Sequence, residues 1–199
     1  PPEIDLQRIR QWSRGVIDKM SNGLISLCKQ RGVDFVHGRA RFLDSNSLII
    51  NENEQIKFDH CILATGSQPV CPPLFSKISD RLLTSTSALE LEEIPERLLV
   101  VGGGYIGLEM GTVYSALGSR VTVAEMTGDL LPGVDRDLVR ALLPRLKSKF
   151  QSIYLNTQVT SCELKENKVA AEFEGPGDIE PANYDRVLVA VGRKPNSMN

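Results

Sequence analysis

Leu98-Leu99-Val100-Val101 is an apolar run of strand type that passes directly into Gly102-Gly103-Gly104-Tyr105-Ile106-Gly107, and a helix-forming segment follows at once. Glycines at 102, 104 and 107 give G-x-G-x-x-G, the turn by which a parallel strand enters a helix in a dinucleotide-binding unit. Gly102 suits the tight turn, Gly104 the close approach of a pyrophosphate, and Gly107 the close packing of helix on strand. The helix N-terminus offers unpaired N–H groups and a partial positive charge, which suit a diphosphate.

Such a glycine pattern is a weak signal alone, and three further features agree with it. Ile106, Met110, Val113 and Leu117 recur at helical spacing, beside a small-residue stripe of Gly107, Gly111 and Ser115. Gly118 is placed to cap the helix C-terminus. Residues 120–125 read as the next strand, and Glu125 closes it roughly 20 residues beyond the glycines, where an acid accepts hydrogen bonds from ribose hydroxyls. Outside this frame Glu125 would be a solvated loop acid; inside it, Glu125 is the candidate adenosine-ribose ligand.

A net charge of −2 argues against a nucleic-acid or membrane-surface partner. No apolar run reaches the length of a membrane span, and no signal peptide is recognisable. The four cysteines, at 28, 61, 71 and 162, form no close-spaced pair, so reduced thiols in a cytoplasmic protein are expected. His37 and His60 cannot build a metal site with cysteines so far away in sequence, and no metal is expected. The first residue is proline and the last lies just past a turn, which reads as a piece of a longer protein.

Residues 3–31 carry a helical period, with Gly15 and Gly23 as places for a break. Strand-like runs at 33–42, 47–51 and 55–58 predict a β-meander, followed by a buried strand over 58–67. Residues 85–91 predict a short helix with a Ser or Thr cap. Asp135 is a good N-cap for a helix in which Pro144 predicts a kink or a break. Strands are expected at 152–156, 159–165 and 168–174, and a last one at 184–191. Residues 58–69 and 184–195 echo one another: an aromatic-Asp pair, a hydrophobic strand with Ala, then Gly-x-x-Pro, each after a meander. Two related domains in tandem account for this. The expected fold is α/β, a Rossmann-like three-layer NAD(P)-binding domain at 81–195, inserted in an incomplete FAD-binding domain of the same type formed by 1–80 and 196–199.

This organisation resembles the flavoprotein disulfide reductases, in which an NAD(P) domain interrupts an FAD domain. Ala64-Thr65-Gly66 and Gly192-Arg193-Lys194-Pro195-Asn196 are similar to that family's two strand-end motifs. The glycine motif through Gly111, together with Leu130-Leu131-Pro132-Gly133-Val134-Asp135, most resembles its dihydrolipoamide dehydrogenase branch. The resemblance implies that Gly102, Gly103, Gly104, Tyr105 and Gly107 hold the NAD pyrophosphate and Glu125 the ribose. Ile106 and Glu109 match positions beside the nicotinamide, and Gly192 a backbone position along NAD. Ala40, Thr65, Gly66 and Arg193 match positions along FAD. Their plainer readings are core packing for Ile106, a strand end for Thr65 and Gly66, and a surface charge for Arg193.

The resemblance also implies an oxidoreductase that oxidises dihydrolipoamide on a lipoyl domain of a 2-oxo-acid dehydrogenase complex, works as a homodimer, and passes electrons through a redox disulfide and FAD to NAD⁺. The family's redox cysteine pair and His–Glu acid/base pair have no counterpart in these 199 residues, so no catalytic residue is assigned and the chain alone is expected to bind no FAD and to be inactive. Another NADH-linked flavoprotein, such as an NADH oxidase or a soluble transhydrogenase, and a non-catalytic nucleotide-binding module are the alternatives.

Overall fold

The computed structural model describes residues 3–177 and 179–197. Pro1–Leu6 with Gln68–Lys194 form one compact unit, and Gln7–Ser67 with Pro195–Asn199 form another. The smaller unit holds helix α1 (Leu6–Gln30) and three strands, β1 (Ala40–Phe42), β2 (Ser47–Ile50) and β3 (Glu54–Lys57). The strands pair as an antiparallel meander, with Ala40 opposite Ile50 and Ser47 opposite Lys57. The larger unit follows β4 (Ser67–Pro69) with a 3₁₀ segment at Pro73–Arg81, then β5 (Leu82–Leu83), β6 (Arg97–Val101), α2 (Tyr105–Ala116), β7 (Arg120–Ala124), α3 (Arg136–Lys149) and β8 (Ser152–Tyr154). It ends with β9 (Gln158–Lys165), β10 (Lys168–Glu174), β11 (Ala182–Tyr184), β12 (Arg186–Val189) and β13 (Arg193–Pro195).

A parallel sheet in the order β5-β12-β6-β7-β8 is the middle of three layers. Past the arginines that open β6, β7 and β12, its central strands are buried almost throughout, because both faces are covered. Leu98 and Val100 of β6 pack on one side with Leu108 and Tyr114 of α2 and Val139 and Leu146 of α3. Leu99 and Val101 pack on the other side with Val159, Val169 and Ala171 of the antiparallel sheet β11-β10-β9 and with Phe75 and Ile78 of the 3₁₀ segment. The period-two alternation of side chains divides one apolar run between two cores. Gly111 lets α2 lie close to β7 and to the end of α3, since a Cβ there would lie 3.4 Å from Val121 Cγ1 and 3.1 Å from the Phe150 ring. Gly118 follows the C-cap at φ +110°, as its position in the sequence predicts.

Several expectations are corrected. Helix α1 runs unbroken through Gly15 and Gly23, yet none of its residues is buried and Trp12 is 73% exposed. Of the run at 33–42 only the last three residues are strand. Residues 58–66 form no strand, and Ile62 is 93% exposed. A parallel strand needs hydrogen-bonded neighbours and cover on both faces. Residues 7–67 supply a helix and a meander but no parallel partner.

The helix expected at 85–91 is a single 3₁₀ turn, Ser87–Glu90, entered by reciprocal bonds in which Thr84 N–H donates to Ser87 Oγ (2.9 Å) and Ser87 N–H to Thr84 Oγ1 (3.3 Å). Asp135 is the N-cap of α3, but its side chain caps no N–H. Helix α3 continues through Pro144 rather than breaking. Pro144 and Arg140 are both exposed, so the Arg140 carbonyl that loses its intrahelical donor can be hydrated.

Asp185 ties the strand ends together. Its Oδ2 accepts the Arg97 N–H (2.8 Å), and Lys168 Nζ lies 3.2 Å from Oδ1. Burial works to raise its carboxyl, but the Arg97 N–H and Lys168 outweigh that and hold it below the ordinary Asp range. A depressed carboxyl contributes stability above the unfolded pKa and loses it as pH falls through the folded value. Asp185→Asn is expected to cost about 1–2 kcal/mol at pH 7 and progressively less below about pH 4, measured by urea unfolding at several pH values.

Candidate functional site

Strand order changes direction at β6: the chain runs outward through β7 and β8 on one side and returns to β12 on the other. Loops leaving the carboxyl ends of strands diverge at such a point and leave a crevice. A cavity of about 760 Å³ lies there. Val101 and Gly102 from β6, Ala124 and Glu125 from β7, and Val189 to Gly192 from β12 form its floor.

The glycine turn is shaped by close contacts. Gly102 sits at φ +105°, and a Cβ on it would lie 2.5 Å from the Ala190 carbonyl oxygen of the neighbouring strand end. A Cβ on Gly107 would lie 2.2 Å from the Gly102 carbonyl oxygen, and one on Gly103 would lie 2.6 Å from Leu130 Cδ2. Gly104 differs: nothing lies within 4 Å of where its Cβ would be. That open space borders the cavity at the start of α2, whose N-cap is Gly104 and whose first turn receives no side-chain cap. Backbone N–H groups facing open space at a helix N-terminus suit an anionic diphosphate.

Glu125 is not a solvated loop acid; it is 7% exposed. Its Oε2 accepts the Gly103 N–H (2.6 Å), and its Oε1 accepts the Thr127 N–H and hydroxyl (2.7 Å each). The carboxylate is therefore fixed against the glycine turn while still lining the cavity. Each carboxylate oxygen has two lone pairs, and the three bonds leave one acceptor position, on Oε2, for a ribose hydroxyl.

Of the residues singled out in the sequence, Gly102, Gly104, Tyr105, Ile106, Glu125, Gly192 and Arg193 line this one cavity. Gly103 and Gly107 are buried behind the turn, and Glu109 is exposed on α2. Arg193, which the resemblance matches to a position along FAD, stands on the rim of this cavity and donates from Nη1 to Ser85 Oγ (2.8 Å). Ala40, Thr65 and Gly66 belong to the other unit. Ala40 is exposed on β1, and Thr65 Oγ1 donates to the Asn196 carbonyl (2.8 Å), whose N–H in turn reaches the Gly66 carbonyl (3.0 Å). Sequence reasoning missed Phe75, Met126 and Val159, which form apolar walls of the cavity. Only Met126 carries a local signal, its place next to Glu125.

No cysteine or histidine lines the cavity among the described residues. Cys162 is buried and its thiol is pushed up to about 11, so it holds no thiolate at neutral pH. Among the described residues no group of three or more His, Cys, Asp or Glu could hold a metal ion, and no helix is long and apolar enough to cross a membrane. This geometry offers an open helix N-terminus beside a fixed carboxylate, and among the described residues no thiol or imidazole lines it.

A family model described as pyridine nucleotide-disulphide oxidoreductase matches residues 2–199. A dihydrolipoyl dehydrogenase of Vibrio parahaemolyticus is 42% identical over 98% of this chain and 42% of its own length. One from Haemophilus influenzae is 41% identical over 98% of this chain and 41% of its own length. The HOCl-induced flavoprotein disulfide reductase RclA from Escherichia coli has a solved structure that superposes with a TM-score of 0.80 at 30% identity, covering 96% of this chain and 43% of that one. The chain thus spans about two fifths of the length of these relatives.

Proposed function

Since the chain belongs to the pyridine nucleotide-disulphide oxidoreductase family, we propose that residues 81–195 are an NAD-binding domain and that 1–80 with 196–199 are part of an FAD-binding domain. The observation that carries the NAD assignment is the open space at Gly104, on a cavity at the strand-order reversal, with the Glu125 carboxylate fixed beside it. The turn holds the diphosphate through N–H groups of the first turn of α2. Glu125 accepts an adenosine ribose hydroxyl at the position left on Oε2. Ile106 offers apolar surface and Glu109 a carboxylate along the nicotinamide end, with Tyr105 and Gly192 on the cavity wall. The bound nicotinamide supplies hydride chemistry, and these residues bind and orient it.

The dihydrolipoyl dehydrogenase relatives support a parent activity of the same kind. The whole protein oxidises dihydrolipoamide carried on a lipoyl domain, passing electrons through a redox disulfide and FAD to NAD⁺, as a cytoplasmic homodimer. For flavin the residues present do not suffice. Ala40, Thr65 and Gly66 offer contacts, but the only glycine-rich diphosphate turn in the sequence lies in the other unit.

The test uses the 199-residue chain itself. NADH is expected to raise its thermal midpoint in a concentration-dependent way. With dihydrolipoamide, NAD⁺ and added FAD, no turnover above a no-enzyme control is expected, because among the described residues no thiol pair and no histidine base stands in the site. A midpoint indifferent to NADH overturns the NAD assignment; turnover by this chain overturns the division of labour.

A further inference from the structure

The Gly103 peptide is held at both ends by the segment between β7 and α3. Its N–H donates to Glu125 Oε2 (2.6 Å), and its carbonyl accepts the Leu131 N–H (2.9 Å). Leu130, 2% exposed, fills the place a Gly103 side chain would take. The conformation that allows this is not one leucine prefers, since Leu131 is left-handed at φ 53°. Something must hold the loop in place, and the first residue of α3 does so. Arg136 Nη1 donates to the Leu130 carbonyl (3.1 Å), Nη2 to the Leu131 carbonyl (2.7 Å), and Nε with Nη2 to the Val134 carbonyl (2.9 Å from Nε). Asp129 Oδ2 lies 3.5 Å from Nη1. All three guanidinium nitrogens are engaged, so this cation is occupied by its own loop.

We infer that Arg136 is a positioning residue for dinucleotide binding: it locks the loop at residues 129–134, and through Leu131 and Leu130 that loop fixes the Gly103 peptide against Glu125. The inference rests on the NAD assignment above. Its physical content is pre-organisation. A turn and carboxylate already set in the binding geometry lose less conformational freedom when ligand arrives. A planar five-donor fork can satisfy three carbonyls at once, whereas an ammonium on a flexible stem cannot hold the same geometry.

The experiment compares the unchanged chain with Arg136→Gln and Arg136→Lys, titrating NADH by fluorescence and following amide hydrogen exchange without ligand. The dissociation constant for NADH is expected to rise about tenfold in Arg136→Gln and by a smaller factor in Arg136→Lys. Exchange at the Gly103 and Leu131 amides should accelerate about tenfold, while that at Val100 and Val123 in the sheet stays unchanged. A role in general stability would instead raise exchange at all four sites together, and that result overturns the inference. So does unchanged NADH affinity in both variants. Failure of the unchanged chain to bind NADH in the same titration overturns the NAD assignment instead.

Discussion

Gly104→Val is expected to leave the thermal midpoint within a few degrees of the unchanged chain and to weaken NADH binding by about a hundredfold or more. The backbone there, at φ −75° and ψ 176°, is extended and open to any residue. The new side chain meets no protein atom within 4 Å, so it projects into the space at the start of α2. The cost to the fold is that of a poor N-cap residue, up to about 1 kcal/mol. The cost to binding is exclusion of the diphosphate from the N–H groups. Gly107→Ala should do the reverse. Its Cβ would sit 2.2 Å from the Gly102 carbonyl oxygen and 3.0 Å from Val100 Cγ1, so the fold itself loses about 1–3 kcal/mol. Thermal melts paired with NADH titrations separate the two. Unchanged NADH affinity in Gly104→Val would mean that the diphosphate lies elsewhere.

Glu125→Arg is expected to weaken NADH binding by about a hundredfold and to abolish any preference over NADPH. Two effects combine. The ribose loses its acceptor, and a guanidinium at the strand end favours a 2′-phosphate. The Gly103 N–H and both Thr127 donors also lose their partner in a site that is 7% exposed, so stability falls by about 1–3 kcal/mol. Glu125→Gln keeps the shape and one carbonyl oxygen, and should fall between the two. Paired titrations with both cofactors, alongside urea unfolding, check this. Glu125 is purely a structural brace if the variant destabilises the chain while the ratio of the two affinities stays as it was.

The larger unit was legible because its signals are local and agree with one another. The apolar runs of β6 and β7 are buried on both faces, Gly102 and Gly107 between them have neighbours that demand glycine, and the acid closes the second strand. The smaller unit was legible in period but not in burial. The apolar stripe of α1 and the run at 58–66 are as hydrophobic as core elements, and nothing among residues 7–67 covers them. Pro144 does not break α3, because proline's cost depends on which way the orphaned carbonyl faces, and that is a tertiary fact. In the site, spacing identified Glu125 but not its bonds to Gly103 and Thr127. Phe75 and Val159 arrive from distant elements that no local pattern links to the glycine turn. Arg136 carried no signal, because its three hydrogen-bond partners are backbone carbonyls and backbone carbonyls leave no trace in sequence.

The central claim is that the cavity beside the glycine turn is an NAD site whose specificity is set by the Glu125 carboxylate. Parallel titrations of the 199-residue chain with NADH and NADPH at fixed salt test it most directly. Saturable binding of NADH at least about tenfold tighter than NADPH is the result predicted, because the carboxylate accepts a ribose hydroxyl and repels a 2′-phosphate. Equal affinity for the two, or tighter binding of NADPH, would contradict it.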